Sequence, residues 1–145
     1  MRRLGAKYAQ RILENKKNNT SAIVIALYGN LGSGKTVFAQ GFGSGLSIAK
    51  RIQSPTFVLM KRYSLSRLKH PGFKVFYHLD LYRIKNHKDA EYLALKEVFK
   101  DTSAIMIIEW ADRIQKILPK KSIKIQMEHT RNKKNRKVNI KKHNA

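Results

Sequence analysis

The sequence predicts an α/β fold in which helices cover both faces of a mainly parallel central sheet, giving three layers. Two continuous apolar runs, residues 22–27 and 104–108, have the composition of strands buried on both faces. Glycine-rich or acidic residues follow these runs, as expected where a sheet binds a ligand at the carboxyl ends of its strands. The alternating segments 122–127 and 136–140 predict antiparallel additions as two edge strands.

The remaining elements follow from hydrophobic periodicity and from turn residues. Apolar residues at helical spacing predict a helix over residues 4–13 and another over 90–99. Residues 57–63 and 73–79 have the pattern of strands. The long loop between them contains Pro71-Gly72, so we expect these two strands to form an antiparallel hairpin.

The length and composition indicate one globular domain, which we predict to span residues 1–145. Hydrophobic residues make up 42% of the chain, as in ordinary globular proteins. No apolar run reaches the roughly 18 residues that a membrane span requires, and the first residues do not resemble a secretory signal. The chain has no cysteine, so disulfides and thiolate metal sites are excluded. We therefore expect a cytoplasmic protein with no membrane partner.

The charge is strongly unbalanced, with 31 Lys and Arg against 9 Asp and Glu and a formal net charge of +22. Residues 116–145 carry eleven Lys or Arg and one acid, Glu128. Such a stretch attracts polyanions, and nucleic acid is the usual candidate. Compositional drift is the alternative, because lysine, asparagine and isoleucine are abundant throughout the chain. Charge alone does not decide between them.

Residues 29–36 read GNLGSGKT and match the phosphate-binding pattern G-x-x-x-x-G-K-T. A predicted strand precedes this loop and a predicted helix over 36–46 follows it, which together indicate a P-loop NTPase fold. Glycines allow the loop to turn tightly, so that its N–H groups converge on phosphate. We predict that Lys35 reaches the β- and γ-phosphates and that the Thr36 hydroxyl binds Mg²⁺. The predicted nucleotide-binding residues of the loop are Gly29, Asn30, Leu31, Gly32, Ser33, Gly34, Lys35 and Thr36.

Hydrolysis also needs a carboxylate that organises Mg²⁺ and a group that orients the attacking water. Residues 105–109 are an apolar strand that ends in Glu109, and we assign Glu109 to Mg²⁺, directly or through water. The alternative is an exposed acid at a strand end.

Asp80 and Trp110 are the other candidates. Asp80 could polarise water, join the metal's ligand shell, or pair with Arg83 at the sheet edge. Trp110 could stack near a ligand or belong to the core.

Four motifs carry a resemblance to a known family. They are GNLGSGKT at 29–36, SPTF at 54–57, HLDLYR at 78–83 and IEW at 108–110. With these motifs in this order, the chain resembles the bacterial TsaE (YjeE) family from about Leu4 to its end. This family comprises small P-loop ATPases of tRNA threonylcarbamoyladenosine biosynthesis.

The resemblance implies binding of ATP or ADP with Mg²⁺, and ATP hydrolysis that is weak without partners. It implies support of the TsaD–TsaB pair, which transfers threonylcarbamoyl to adenosine 37 of tRNAs reading ANN codons. tRNA would be contacted directly or through that complex. The implied Mg²⁺ ligands are Thr36 and Glu109, the implied catalytic acid is Asp80, and Ser54 and Thr56 correspond to a switch-like segment near the γ-phosphate.

The resemblance also places Trp110 near the nucleotide, and two departures from the family pattern stand out. Members usually have a short strand before the first helix, whereas this chain starts almost at the helix. They also tend to carry Gly-Arg near the nucleotide before the last strand. Residues 132–136 read NKKNR here, so we expect Lys134 to substitute, as a point charge in place of a bidentate fork.

Two other functions fit the sequence. The first is a non-catalytic, nucleotide-gated module that binds RNA or protein, since a chain of this size has no separate substrate domain. The second is a small-molecule or nucleoside kinase. Kinases of that kind usually need an Arg-rich lid, and the basic stretch 133–137 is a poor one.

Overall fold

The computed structural model describes residues 1–15, 19–53, 58–132 and 134–142. Helices and strands within these ranges follow one another in an α/β order. The helices are α1 (Arg2–Glu14), α2 (Lys35–Gly45) and α3 (Leu95–Lys100), and the strands are β1 (Ile23–Tyr28), β2 (Met60–Ser64), β3 (Val75–Asp80), β4 (Ala104–Glu109), β5 (Ile123–His129) and β6 (Arg136–Lys141). None of the described helices is long and apolar enough to cross a membrane.

The six strands form one mixed sheet in the order β2-β3-β4-β1-β5-β6. The pairs β3–β4, β4–β1 and β1–β5 are parallel, whereas β2 and β6 are antiparallel to their neighbours. This arrangement confirms the predicted fold class, a mainly parallel sheet with antiparallel additions. It also confirms the predicted hairpin, because β2 pairs with β3 from Met60 opposite Leu79 to Ser64 opposite Val75.

The prediction of two edge strands near the end of the chain is half wrong. β6 is an edge, but β5 lies between β1 and β6 and pairs with β1 in parallel, Ile25 opposite Ile123. The alternation of β5 arises because Ile125 and Met127 are buried on one face while Glu128 is exposed. Alternation reports which face of a strand is covered, and it does not report how many neighbours the strand has.

Apolar clusters lie on both faces of the sheet and make the three layers. On one face, α1 and α2 pack against the sheet, with the Phe42 ring 5.8 Å from the Phe76 ring between centroids. On the other face, the segment that includes α3 covers β1, β3 and β4 with Leu95 and Phe99. The carboxyl ends of the parallel strands therefore lie together at one edge of the sheet.

The single helix predicted over 90–99 is wrong, because the segment breaks at Ala94. A 3₁₀ helix, His87–Leu93, begins with a capping box between Asn86 and Asp89, and α3 follows it. Ala94 has a left-handed backbone with φ of 50°, which ends the first turn and redirects the chain. The apolar spacing still brings Leu95 and Phe99 into the core.

Candidate functional site

A pocket of about 320 Å³ lies at the carboxyl ends of β1, β3 and β4. It contains the start of α2 and the polar residues that follow or end the strands. Of the residues predicted from the sequence, it brings together Leu31, Gly32, Gly34, Lys35, Thr36, Asp80, Glu109 and Trp110. Ser54 and Thr56 lie outside the described residues, so their role stays a prediction.

The loop between β1 and α2 makes a tight turn. Gly29 and Gly34 have φ of 140° and 102°, values that residues with a Cβ rarely adopt. A Cβ on Gly29 would also collide with the Met127 carbonyl of β5. Ser33 is fully buried, and its N–H donates to the Asn30 carbonyl at 3.1 Å. The loop therefore requires glycine at both positions to start and end its turn.

Lys35 is buried at the centre of this loop. Its Nζ donates to the Gly29 carbonyl at 2.6 Å and to the Asn30 carbonyl at 2.9 Å, and lies 4.0 Å from the centroid of the Trp110 ring. Burial lowers the pKa of Lys35, and the nearby carboxylates Glu109 and Asp80 partly oppose that shift. A negatively charged ligand that enters the pocket would stabilise the charged form of Lys35.

Glu109 is the centre of a buried hydrogen-bonded chain. The Thr36 hydroxyl donates to Glu109 Oε2 at 2.7 Å, and His78 Nε2 lies 2.8 Å from Glu109 Oε1. Glu109 is 1% exposed and His78 is 0% exposed. The alternative of an exposed strand-end acid is therefore wrong. A buried carboxylate is retained only where it is paired or where it binds a cation.

The residues present fit Mg²⁺ that is bound together with a phosphate ligand. Within the described ranges there is no cluster of three or more His, Cys, Asp or Glu that could hold a metal alone. Mg²⁺ in nucleotide sites is usually held by one or two carboxylates, water and substrate phosphates. The Thr36 hydroxyl and the Glu109 carboxylate, already in contact, supply two hard oxygen ligands of that kind.

Asp80 and Trp110 lie at the rim of the pocket. Asp80 ends β3 directly beside Glu109 in the register, and its Oδ1 accepts the Tyr82 N–H at 3.0 Å. Trp110 has a left-handed backbone, φ of 58°, and its ring lies 5.1 Å from the Tyr82 ring. The Trp110 side chain packs on the core from a half-buried position and also lines the pocket. The contact of Trp110 with the core is thus present, and its stacking near a ligand stays a prediction.

Lys134 is not brought into this pocket. It lines a second pocket, on the side of the loop that faces Met1 and Leu4. Gly32, Gly34 and Val37 border both pockets. The predicted nucleotide contact of Lys134 stays a prediction.

Three residues that contact the site had no role predicted from the sequence. His78 buttresses Glu109. His129 Nε2 lies 3.1 Å from the Leu31 carbonyl, and the Arg136 guanidinium donates to the Gly32 carbonyl at 3.4 Å. His129 and Arg136 are directly opposite each other in the β5–β6 register. A signal for His78 was available, since strict alternation places it on the same side of β3 as Asp80.

The fold and the site together define the class of this protein, a three-layer α/β protein with a glycine-rich turn between its first strand and second helix. A family model described as "Threonylcarbamoyl adenosine biosynthesis protein TsaE" matches residues 1–138. The chain belongs to the TsaE family.

Relatives named tRNA threonylcarbamoyladenosine biosynthesis protein TsaE are similar over most of the chain. The Haemophilus influenzae protein is 33% identical over 129 residues, covering 89% of this chain and 76% of the relative. The Bacillus subtilis protein is 37% identical over 102 residues, which is 70% of this chain and 59% of the relative. For the Nostoc protein, at 41% identity, the shares are 66% and 56%. The chain thus spans less than two thirds of the last two relatives.

A solved structure has the same fold. The crystal structure of Bacillus subtilis YdiB superposes with a TM-score of 0.71 at 26% sequence identity. The match covers 99% of this chain and 82% of YdiB. This protein and YdiB therefore share the three-layer fold along nearly the whole of this chain.

Proposed function

We propose that this protein is a Mg²⁺-dependent ATPase that supports the formation of threonylcarbamoyladenosine at position 37 of tRNAs reading ANN codons. Membership of the TsaE family supports the pathway, because the relatives are named for that modification. The residues of the site support the ATPase chemistry. By family resemblance, the partner whose cycle it supports is the TsaD–TsaB transferase.

The observation that carries the proposal is the 2.7 Å hydrogen bond between Thr36 and Glu109. It joins the first turn of α2 to the carboxyl end of β4, so a hydroxyl and a carboxylate converge beside the phosphate loop. Mg²⁺ bound by these two oxygens would neutralise charge on the phosphates of ATP.

Besides Mg²⁺, Lys35 is the second positive charge that would act on the phosphates of ATP. Its ammonium group lies among loop carbonyls and 4.0 Å from the Trp110 ring, held in a buried position where its charge acts at short range. The γ-phosphate of ATP in this loop would accept hydrogen bonds from Lys35 and from the loop N–H groups. Charge that develops on the leaving phosphate oxygens would be stabilised by the same groups.

Asp80 is the residue that would orient the attacking water. Its carboxylate lies in the same pocket as Glu109 but at the rim, and one oxygen is fixed by the Tyr82 N–H. That hydrogen bond sets the direction of the carboxylate, which would accept a proton from water. Glu109, in contrast, is bonded at both oxygens and suits metal binding better than proton transfer.

The proposal is tested by measuring ATP affinity and hydrolysis with Mg²⁺ and with EDTA. Lys35→Ala should abolish tight binding of ATP. Glu109→Gln keeps an acceptor for Thr36 and should lose Mg²⁺-dependent turnover, while nucleotide binding is largely retained. Unchanged ATP affinity in Lys35→Ala, or full turnover in Glu109→Gln, would contradict the proposed site. ATP binding without turnover in any condition would instead support the nucleotide-gated binding module.

A further inference from the structure

One face of the β5–β6 hairpin carries a set of polar side chains that the nucleotide site does not use. Lys124 is directly opposite Lys141, and Gln126 is opposite Asn139. Tyr28 of β1 is the neighbour of Gln126 on the other side. We call these five residues the polar face. They line a pocket of about 460 Å³, together with Gln115 and the acid Glu128.

The hairpin has this face because only its other side is covered. Ile125 and Met127 point into the cluster beneath α1 and α2, and Val138 packs against the same cluster. The intervening residues must then point the opposite way. Asn139 and Lys141 are exposed there. The polar face is therefore accessible from solvent.

Tyr28 presents a hydrogen-bonding group without a partner. Its hydroxyl is buried and makes no hydrogen bond to any described residue. Burial raises the pKa of Tyr28, and the negative charge of Asp112 raises it further, so the hydroxyl keeps its proton. A buried unpaired hydroxyl is unfavourable.

The two lysines of the polar face also lack an internal reason to be adjacent. Like charges directly opposite each other on antiparallel strands destabilise the sheet. An anion bound between Lys124 and Lys141 would convert that repulsion into two favourable contacts. A phosphate group fits this position in charge.

The amide side chains of the polar face indicate which chemical group would lie beside the phosphate. Gln126 and Asn139 each offer one acceptor and two donors, the groups that pair with the edges of nucleobases. Of the residue types that are enriched in the cores of protein–protein interfaces, the described lining of this pocket contains one, Tyr28, and no Trp, Phe, Met or Arg. Bases become available to such groups when they are unpaired, as in RNA loops.

We propose that the polar face binds a single-stranded segment of RNA, with phosphate at Lys124 and Lys141 and a base edge at Gln126 and Asn139. The chemistry of the face specifies an unpaired nucleic acid. The choice of RNA over DNA rests on the proposed function.

A basic track continues from this face along the surface. Gln115 borders both the polar face and another open pocket, which is not the pocket that Lys134 lines. This other pocket contains Lys85, Lys88, Arg113 and Lys116. Grooves that follow a single strand typically combine a line of positive charge with groups that contact the bases. The shared border at Gln115 gives the strand a path toward the rim of the nucleotide site, where Arg113 lies 6.0 Å from the Trp110 ring.

The test must separate this face from the general attraction of a chain with a net charge of +22. Gln126→Ala with Asn139→Ala removes both amides and leaves the charge unchanged. The matched control is Gln40→Ala with Asn15→Ala, which changes the same residue types in the α1–α2 layer. Fluorescence anisotropy with a short labelled single-stranded oligoribonucleotide gives the affinities, and DNA of the same sequence is measured in parallel.

We expect the Gln126/Asn139 variant to bind the RNA at least about tenfold more weakly, as for the loss of base-edge contacts. Its salt dependence should be unchanged, and the control should bind like the wild type. In Lys124→Gln with Lys141→Gln, the log–log salt slope should fall by about 0.7, the value for one phosphate of a single strand. Equal affinity in the amide variant and its control, or equal binding of DNA, would overturn the proposal.

ATP turnover of the same variants separates this inference from the proposed function. None of the four substituted positions lines the nucleotide pocket. Normal turnover with unchanged RNA binding would refute only the RNA face. Absent turnover in the wild type with specific RNA binding would refute only the ATPase.

Discussion

His78 Nε2 and Glu109 Oε1 are 2.8 Å apart, and both side chains are buried. His78 Nδ1 has no hydrogen-bond partner among the described residues. The two side chains share one hydrogen bond. His78 contacts the carboxylate oxygen that Thr36 does not contact, so the Glu109 side chain of β4 is bonded both to β3 and to α2.

Replacement of His78 by leucine keeps an apolar side chain of similar size and removes the hydrogen bond to Glu109. We expect a loss of about 1–3 kcal/mol in the free energy of unfolding, because the buried carboxylate loses a partner. Weaker Mg²⁺ dependence of ATP binding should accompany it. Urea denaturation measures the first effect. His87→Leu, at a half-exposed position, is the control, and equal stability of the two variants would contradict a holding role for His78.

Asp80→Asn should keep ATP binding and lose turnover by roughly 10²- to 10⁴-fold, as expected for removal of a general base. The substitution retains Oδ1, which accepts the Tyr82 N–H, so the end of β3 should keep its shape. Single-turnover hydrolysis and nucleotide titration separate the two effects. Glu97→Gln, an exposed acid in α3, is the matched control. Full activity of Asp80→Asn would leave Asp80 with a structural role only.

The affinity for ATP should decrease as the pH rises toward 10.5, the ordinary pKa of lysine. Burial lowers the pKa of Lys35 in the free protein, whereas bound phosphates favour the charged form. Binding therefore requires the protonated amine and weakens as pH passes through the lowered pKa. Isothermal titration across this range measures the effect. Lys35→Arg, which stays charged, should bind with less pH dependence, and an equal decline in both proteins would refute the assignment to Lys35.

Gly41→Ala should destabilise the fold by about 1–3 kcal/mol, as for overpacking of a close contact. A Cβ at Gly41 would overlap the Arg2 carbonyl, so α1 and α2 could not approach as they do. Thermal unfolding gives the comparison. Ser44→Ala, exposed on the same helix, should stay within about 0.5 kcal/mol of the wild type. Similar melting temperatures for the two variants would show that the helix contact tolerates a methyl group.

The sequence predicted those parts of the fold and site that depend on local pattern. The tight glycine-rich turn, the two buried strands and Glu109 at a strand end could all be predicted, because each lies in one continuous segment with a strong chemical signature. The position of β5 in the sheet could not be predicted from the sequence, because the neighbours of a strand are set by tertiary pairing. The break at Ala94 was hidden because alanine is a good helix former and its left-handed backbone is imposed by packing.

The contacts of the last hairpin with the P-loop were the hardest to foresee. His129 and Arg136 are about a hundred residues from Leu31 and Gly32. Their roles depend on the register of β5 against β6 and on the position of β5 next to β1. Neither feature has a local sequence signal. The result is that the hairpin contacts the P-loop on one side and carries the polar face on the other.

The most direct test of the central claim is ATP turnover by the purified chain, alone and with a TsaD–TsaB complex and tRNA. Weak turnover alone and strong stimulation by the complex, lost in Glu109→Gln, is the predicted result. It would link the metal site to the tRNA-modification cycle in one experiment. ATP binding with no turnover in either condition would contradict the account and leave a nucleotide-gated binding module in its place.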